Sequence, residues 1–153
     1  MSREILFRGK RKDNGEWVEG GFHKWETRQP CALGDDVLQQ DEIKYMIIVN
    51  SFADWNMPRT MQAVEVIPET VGEWTGLCDK NGKRIFEGDI VKTKKYGKVI
   101  GHSNVNDYDI FQIVYEPAVF RLTNNHRGFN FVGNPNDYEV ISNIHDNPEL
   151  LEV

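Results

Sequence analysis

At 153 residues, with 39% hydrophobic and 27% charged side chains, the chain has enough apolar content for one packed domain and reads as globular, not disordered. A net charge of −6 argues against generic binding to nucleic acid, which needs a basic surface. No apolar run reaches the ~18 residues of a membrane span, and the start Met1-Ser2-Arg3-Glu4-Ile5 lacks the apolar core of a secretion signal, so a cytosolic protein with no membrane association is expected.

Alternating and β-branched runs separated by Gly, Asn, Asp and Pro dominate, which predicts a mainly β fold. The first strand is expected over Ile5 to Arg8. Lys12-Asp13-Asn14-Gly15 supplies a turn, because Asn and Gly tolerate a positive φ, and Trp17 to Phe22 returns as the second half of a hairpin. Thr27 to Gln40 carries Pro30, Gly34 and Asp35-Asp36 without a pattern and reads as a loop. Tyr45-Met46-Ile47-Ile48-Val49 is continuously apolar, the signature of a strand buried on both faces. Ser51 to Arg59 reads as a second loop, and Ala63 to Ile67 as a strand stopped by Pro68.

The second half predicts strands over Trp74 to Cys78, Arg84 to Phe86, Asp89 to Thr93, Lys98 to Gly101, Phe111 to Tyr115, Val119 to Leu122, Phe129 to Val132 and Tyr138 to Asn143. Asn147-Pro148-Glu149 then spells a helix start, with room for about one turn before the last residue. The centre of this half is its most specific part. In Asp79-Lys80-Asn81-Gly82 the Asp accepts backbone N–H groups, and a Gly or Asn takes the left-handed position of a hairpin loop. Leu77 and Ile85 would share the core face. Gly88-Asp89 bends the chain into Ile90-Val91, and Tyr96-Gly97 offers another turn. Strand, turn, strand, corner, strand and turn in so short a span predict a small, partly open barrel like a Src-homology-3 (SH3) domain in the C-terminal half. The N-terminal hairpin and a loop-rich extension would pack on it, and the chain would form one domain over 1–153. Asn14-Gly15 before Trp17-Val18-Glu19-Gly20 echoes Asn81-Gly82 before Ile85-Phe86-Glu87-Gly88, which similar turn chemistry explains without a duplication.

The residues carrying these turns also resemble those of the YopX family of phage and prophage proteins. The resemblance rests on Arg3-Glu4-Ile5-Leu6-Phe7-Arg8, Thr70-Val71-Gly72-Glu73-Trp74-Thr75-Gly76-Leu77 and Asp79-Lys80-Asn81-Gly82. It continues through Ile85-Phe86-Glu87-Gly88-Asp89-Ile90-Val91 and closes with Tyr138-Glu139-Val140-Ile141-Ser142-Asn143-Ile144-His145-Asp146-Asn147-Pro148-Glu149-Leu150-Leu151. Lys24 to Ala63 and Gly101 to Asn125 match poorly, and Ser142 stands where a Gly is expected. The resemblance implies a small β protein of phage origin working inside a bacterial host, and it implies no catalytic residue and no cofactor.

Candidate chemistry is sparse. Glu87 and Asp89 flank Gly88 at a spacing that puts both on one side of a strand, where they would share a metal or do acid–base work; the favoured reading is that Asp89 holds the turn and Glu87 faces solvent. His23, His102, His126 and His145 show no metal-ligand spacing. Cys31 and Cys78 lie outside any nucleophile or disulfide motif and are expected as free thiols.

Charge is locally concentrated. From Asp79 to Lys98, seven basic residues (Lys80, Lys83, Arg84, Lys92, Lys94, Lys95, Lys98) face three acidic ones, a net +4 that leaves −10 for the rest. Arg3, Arg8, Lys10, Arg11 and Lys12 form a second basic stretch. With Tyr96 and Trp17 as stacking groups these would grip a nucleic-acid backbone; the favoured alternative is lysines guarding an edge strand. Trp74 is expected in the core. Trp55 and Met57, in a polar loop, suit a protein interface, with a loop anchor as the alternative. The leading expectation is a non-enzymatic interaction protein that engages a host or phage protein, as a single chain or as a homo-oligomer. A nucleic-acid binder comes second and an enzyme third.

Overall fold

The computed structural model describes residues 4–51, 55–94, 108–124, 128–131 and 134–152, apart from the side chains of Lys94, Phe129 and Pro135. Its strands are β1 (Phe7–Lys10), β2 (Trp17–Glu26), β3 (Ile43–Asn50), β4 (Met61–Glu65), β5 (Gly72–Cys78), β6 (Arg84–Phe86), β7 (Asp89–Lys94), β8 (Tyr108–Glu116), β9 (Val119–Thr123), β10 (Gly128–Asn130) and β11 (Tyr138–Asn143). All pairings between these strands are antiparallel, as alternating patterns joined by tight turns require. The mainly β expectation holds. The predicted strand Lys98 to Gly101 and the Tyr96-Gly97 turn lie outside the described residues. The chain divides into two compact units, one of Glu4–Glu73 and one that takes up the chain from Trp74.

In the first unit β1 and β2 form the expected hairpin, with Phe7 opposite Gly20 and Lys10 opposite Trp17. Its turn is made by Gly15 at φ +73°, whose N–H donates to the Arg11 carbonyl at 3.0 Å. The order continues β2–β3–β4, while Phe7 and Arg8 on the other side of β1 pair with Glu73 and Gly72. The sheet also curls back on itself. Arg11 bridges Val66, Lys12 N–H donates to the Glu65 carbonyl at 3.0 Å, and Ile67 N–H donates to the Lys10 carbonyl at 2.8 Å. The far ends of β1 and β4 therefore meet at one point without closing a barrel. Ile47 and Val66 are fully buried inside the curl, beside Phe7, Phe22 and Tyr45 with ring centroids 5.3 and 6.2 Å apart.

The run Tyr45 to Val49 is not buried on both faces. Ile47 points inward at 0% exposure, while its neighbour Ile48 is 36% exposed. A strand of a one-layer curl has only one inner face, whatever its composition. The loop that follows β2 is ordered by a charge clamp that the sequence pattern does not reveal: Arg28 donates to both carboxylate oxygens of Asp36 at 2.9 and 3.0 Å, and also to Glu42.

In the second unit β5 and β6 form the predicted hairpin, and β7–β11 form a sheet of order β10-β9-β8-β7-β11. Ile85 from β6 joins Val91, Phe111, Ile113, Leu122 and Tyr138 in one buried cluster, against which Phe120, Phe131 and Val140 pack. Among the described residues this sheet stays open. Leu77 is only half-buried, and Trp74, expected in the core, is half-buried too: its indole N–H donates to the Leu77 carbonyl at 2.8 Å, and the Arg84 guanidinium lies 5.5 Å from its ring. A Trp on the outer face of a hairpin finds its polar partner in the adjacent turn. The final turn, Pro148–Leu151, is a 3-10 helix, and Asn147 does not cap it; its side-chain amide donates to Glu149 instead.

Candidate interaction surfaces

The turn that stands out in the sequence is a structural clamp. Asp79 is 4% exposed, and its Oδ1 accepts the N–H groups of Asn81 at 2.8 Å and Lys83 at 2.9 Å. Gly82 takes the left-handed position at φ +81°, with its N–H on the Asp79 carbonyl at 3.0 Å. Two further bonds leave the turn: Val140 N–H donates to Asp79 Oδ2 at 3.1 Å, and Lys80 N–H donates to the Tyr138 carbonyl at 3.1 Å. The turn thus covers the outer edge of β11. Burial pushes the Asp79 carboxyl upward, but the N–H donors of Val140, Lys83 and Asn81, helped by the Lys83 charge, outweigh it and hold it below the usual carboxylate range.

The second corner is likewise structural. Asp89 is 1% exposed and its Oδ2 accepts the Phe86 N–H at 2.8 Å. Gly88, at φ +83°, donates to the Ile113 carbonyl and accepts from Ile144 N–H, both at 2.8 Å. Glu87 is half-buried and not solvent-facing as expected. The closing motif bulges between Val140 and Ser142, at the place where a Gly is expected, and the Ser142 hydroxyl donates to Asn147 at 2.6 Å.

Most of the described basic residues are engaged one by one. Arg8 is 8% exposed with its guanidinium 4.6 Å from the Trp17 ring centre, and the Lys10 ammonium lies 5.6 Å from the same ring. Trp17 is therefore already covered by cations of its own strand pair. Arg11 pairs with Asp13 at 2.6 Å, Lys12 with Glu65 at 2.8 Å, and Lys80 with Glu139 at 2.6 Å. Lys92 sits 4.2 Å over the Tyr108 ring. Lys83 and Arg84 are exposed on the hairpin. Lys95, Tyr96 and Lys98 lie outside the described residues, as does the side chain of Lys94. Arg8, Lys10, Arg11 and Lys12 lie in the first unit, and Lys80, Lys83, Arg84 and Lys92 in the second.

The apolar surface is concentrated in the first unit. Trp55 is 94% exposed and Met57 67% exposed, in the loop that joins β3 to β4. The loop is knit at its base: the hydroxyls of Ser51 and Thr60 meet at 2.7 Å, and Ser51 N–H donates to the Thr60 carbonyl at 2.7 Å. Met61, at the start of β4 and 79% exposed, extends this surface, and Leu33 and Val37 are exposed in the preceding loop. Beside β4 runs an open groove lined by Arg11, Lys12, Asp13 and Gln62–Glu65. Sequence reasoning missed Met61 and this strand edge; the signal was a strand, Met61-Gln62-Ala63-Val64, with neither Lys nor Pro. Cys31 and Cys78 are free thiols. Among the described residues no group of three or more His, Cys, Asp or Glu is placed to hold a metal, and no helix is long and apolar enough to cross a membrane.

Fold and surface together define a mainly β protein of two antiparallel sheets, in which Asp79 and Asp89 hold turns and Trp55, Met57 and Met61 stand exposed on one hairpin. The profile of the family described as YopX protein matches residues 6–152, and the chain belongs to that family. It is similar to a solved structure, the crystal structure of protein EF1440 from Enterococcus faecalis, with a TM-score of 0.52 and 22% identity over 98% of this chain and 99% of that one. That likeness is one of fold. No curated protein matches the chain.

Proposed function

We propose that this is a non-enzymatic accessory protein of a phage or prophage, acting in the bacterial cytoplasm by binding a host or phage protein through the β3–β4 loop. The observation that carries the reading is Trp55, 94% exposed at the end of a hairpin whose base is tightly hydrogen-bonded. Trp and Met are enriched where proteins bind each other. Of the two carboxylates that invited a catalytic reading, Glu87 and Asp89, the second is buried and accepts the Phe86 backbone N–H. The ion pairs of Arg11, Lys12 and Lys80 weaken the nucleic-acid reading, because a cation already neutralised releases fewer counterions. The same proposal takes residues 1–153 as one functional domain and the strands from β5 onward as a partly open SH3-like barrel, supported by Ile85 joining the sheet's core.

The test is affinity capture from phage-infected cells with the wild-type chain and with Trp55→Ala. A specific partner retained by the first and lost by the second is expected. Equal capture by both would remove the loop from the interface. Retention of nucleic acid, lost on raising salt, would favour the basic segments.

A further inference from the structure

The two units treat their sheet edges differently. The outer edge of β11 is covered by the Asp79 turn, which takes up the Val140 N–H and the Tyr138 carbonyl. The outer edge of β4 has no such cover among the described residues. Its direction follows from the bonds around Val66. Val66 N–H donates inward to Tyr45 of β3, while the Glu65 carbonyl and Ile67 N–H bond outward to β1. Strand bonding alternates residue by residue, so Ala63 and Met61 also aim their N–H and C=O groups outward, along the open groove. Beyond Glu65 the edge is occupied by Lys12. The open stretch is therefore Met61–Ala63, with Arg59 just before it. Native edges are normally guarded by Lys, Pro, bulges or a covering segment, and this stretch has none of these among the described residues.

We propose that this edge pairs with the same edge of a second copy of the chain, across a twofold axis passing through Gln62. An antiparallel pair with that axis sets Met61 opposite Ala63 of the other copy, and the reverse. Both are outward-bonding positions, so two mutual pairs of main-chain hydrogen bonds form. The exposed Met61 then lies over the small Ala63 of its mate. A twofold interface must be self-complementary, and this register is. Charge agrees with it. Arg59, exposed, extends two residues past Met61 toward the mate's groove, whose end is lined by Glu65 and Asp13. Asp13 spends both oxygens on Arg11, whereas Glu65 holds Lys12 through Oε1 and has Oε2 for a second donor. Two copies thus set two Arg59 guanidiniums opposite two Glu65 carboxylates. The paired stretch is short, so the dimer is weak and reversible.

The test is sedimentation of the intact protein across a wide concentration range, with amide hydrogen exchange at Met61 and Ala63. A concentration-dependent dimer is expected, with exchange at those two amides slowing as it forms. Ala63→Pro removes an outward N–H that has no acceptor among the described residues of the single chain, so it should leave circular dichroism unchanged and abolish the dimer. Arg59→Glu should weaken the dimer by about tenfold or more, through like charges at the groove ends. A chain that stays monomeric at all attainable concentrations overturns the proposal. So does a dimer that survives Ala63→Pro, or one that ignores Arg59→Glu. Slowed exchange at Ala63 only in the presence of the partner captured through Trp55 would assign the edge to a foreign strand and overturn the second copy, while leaving the proposed function standing.

Discussion

Asp79 and Val140 are 61 residues apart and share one hydrogen bond, from the Val140 N–H to Asp79 Oδ2 at 3.1 Å. That bond ties the loop of the β5–β6 hairpin to the edge of the last strand. The other oxygen holds the loop itself, through Asn81 and Lys83. Asp79→Ala leaves three donors without their acceptor and is expected to cost about 3–5 kcal/mol, since each bond to a charged acceptor contributes roughly 1.5 kcal/mol or more. Asp79→Asn keeps one acceptor oxygen, and its amide cannot accept from Val140, so about 1–2 kcal/mol is expected. Urea denaturation of both variants measures this. No loss in Asp79→Asn would mean that the bond to Val140 contributes nothing.

The same carboxylate makes stability depend on pH. Its folded-state value lies below the ordinary 3.8, because the backbone donors outweigh burial. A carboxyl with a depressed folded pKa binds fewer protons folded than unfolded. Its stabilisation is therefore complete above the unfolded value and is lost as pH falls through the folded one. The stability gap between wild type and Asp79→Asn should be constant from about pH 7 to pH 5 and shrink below about pH 4. Asp13, Asp36, Glu42 and Glu149 are also held low, but both proteins retain them, so the difference isolates Asp79. A gap that stays flat to pH 2.5, roughly the foot of a carboxylate titration, would show that Asp79 does not titrate with folding.

Local chemistry was legible in the sequence and geometry at a distance was not. Gly82 and Gly88 both adopt the positive φ that their turns demand, and Asp79 and Asp89 both accept backbone N–H groups as such turns require. Those features depend on neighbours within a few residues. Ile48 shows the limit: its composition matches Ile47, and only the curl of the sheet decides that it faces outward. The second oxygen of Asp79 was equally hidden, since nothing near residue 79 announces Val140. The pairing of the basic stretches is hidden from the sequence, because the acids that neutralise them, Glu65 for Lys12 and Glu139 for Lys80, lie far along the chain. Trp55 was legible as a surface candidate because no apolar pattern surrounds it.

Two glycines are needed for different reasons, and substitution separates them. A Cβ on Gly20 would stand 2.1 Å from the backbone oxygen of Ile48, which cannot move without breaking the β2–β3 pairing. Gly20→Ala is expected to cost about 3 kcal/mol or to prevent folding, as overpacking against backbone does. A Cβ on Gly88 would meet His145 and Ile144 at an ordinary 3.6 Å, so only its φ of +83° opposes the change. Gly88→Ala should cost about 1–2 kcal/mol. Thermal unfolding of the two variants checks the order. A larger loss at Gly88 would put the tightest constraint in the second unit.

Trp55 is expected to be silent in stability and decisive in binding. Its ring is 94% exposed, so truncation to Ala removes little buried area, and the unfolding free energy should change by no more than about 0.5 kcal/mol. Met57→Ala, at 67% exposed, should behave the same way. If either side chain instead anchors its loop onto the body, its removal would loosen the Ser51–Thr60 base and speed amide exchange at both residues. Exchange rates at Ser51 and Thr60 therefore distinguish an interface from an anchor without any partner in hand. Unchanged rates together with lost capture of the partner assign the loop to binding, whereas faster rates together with a drop in stability assign it to the fold.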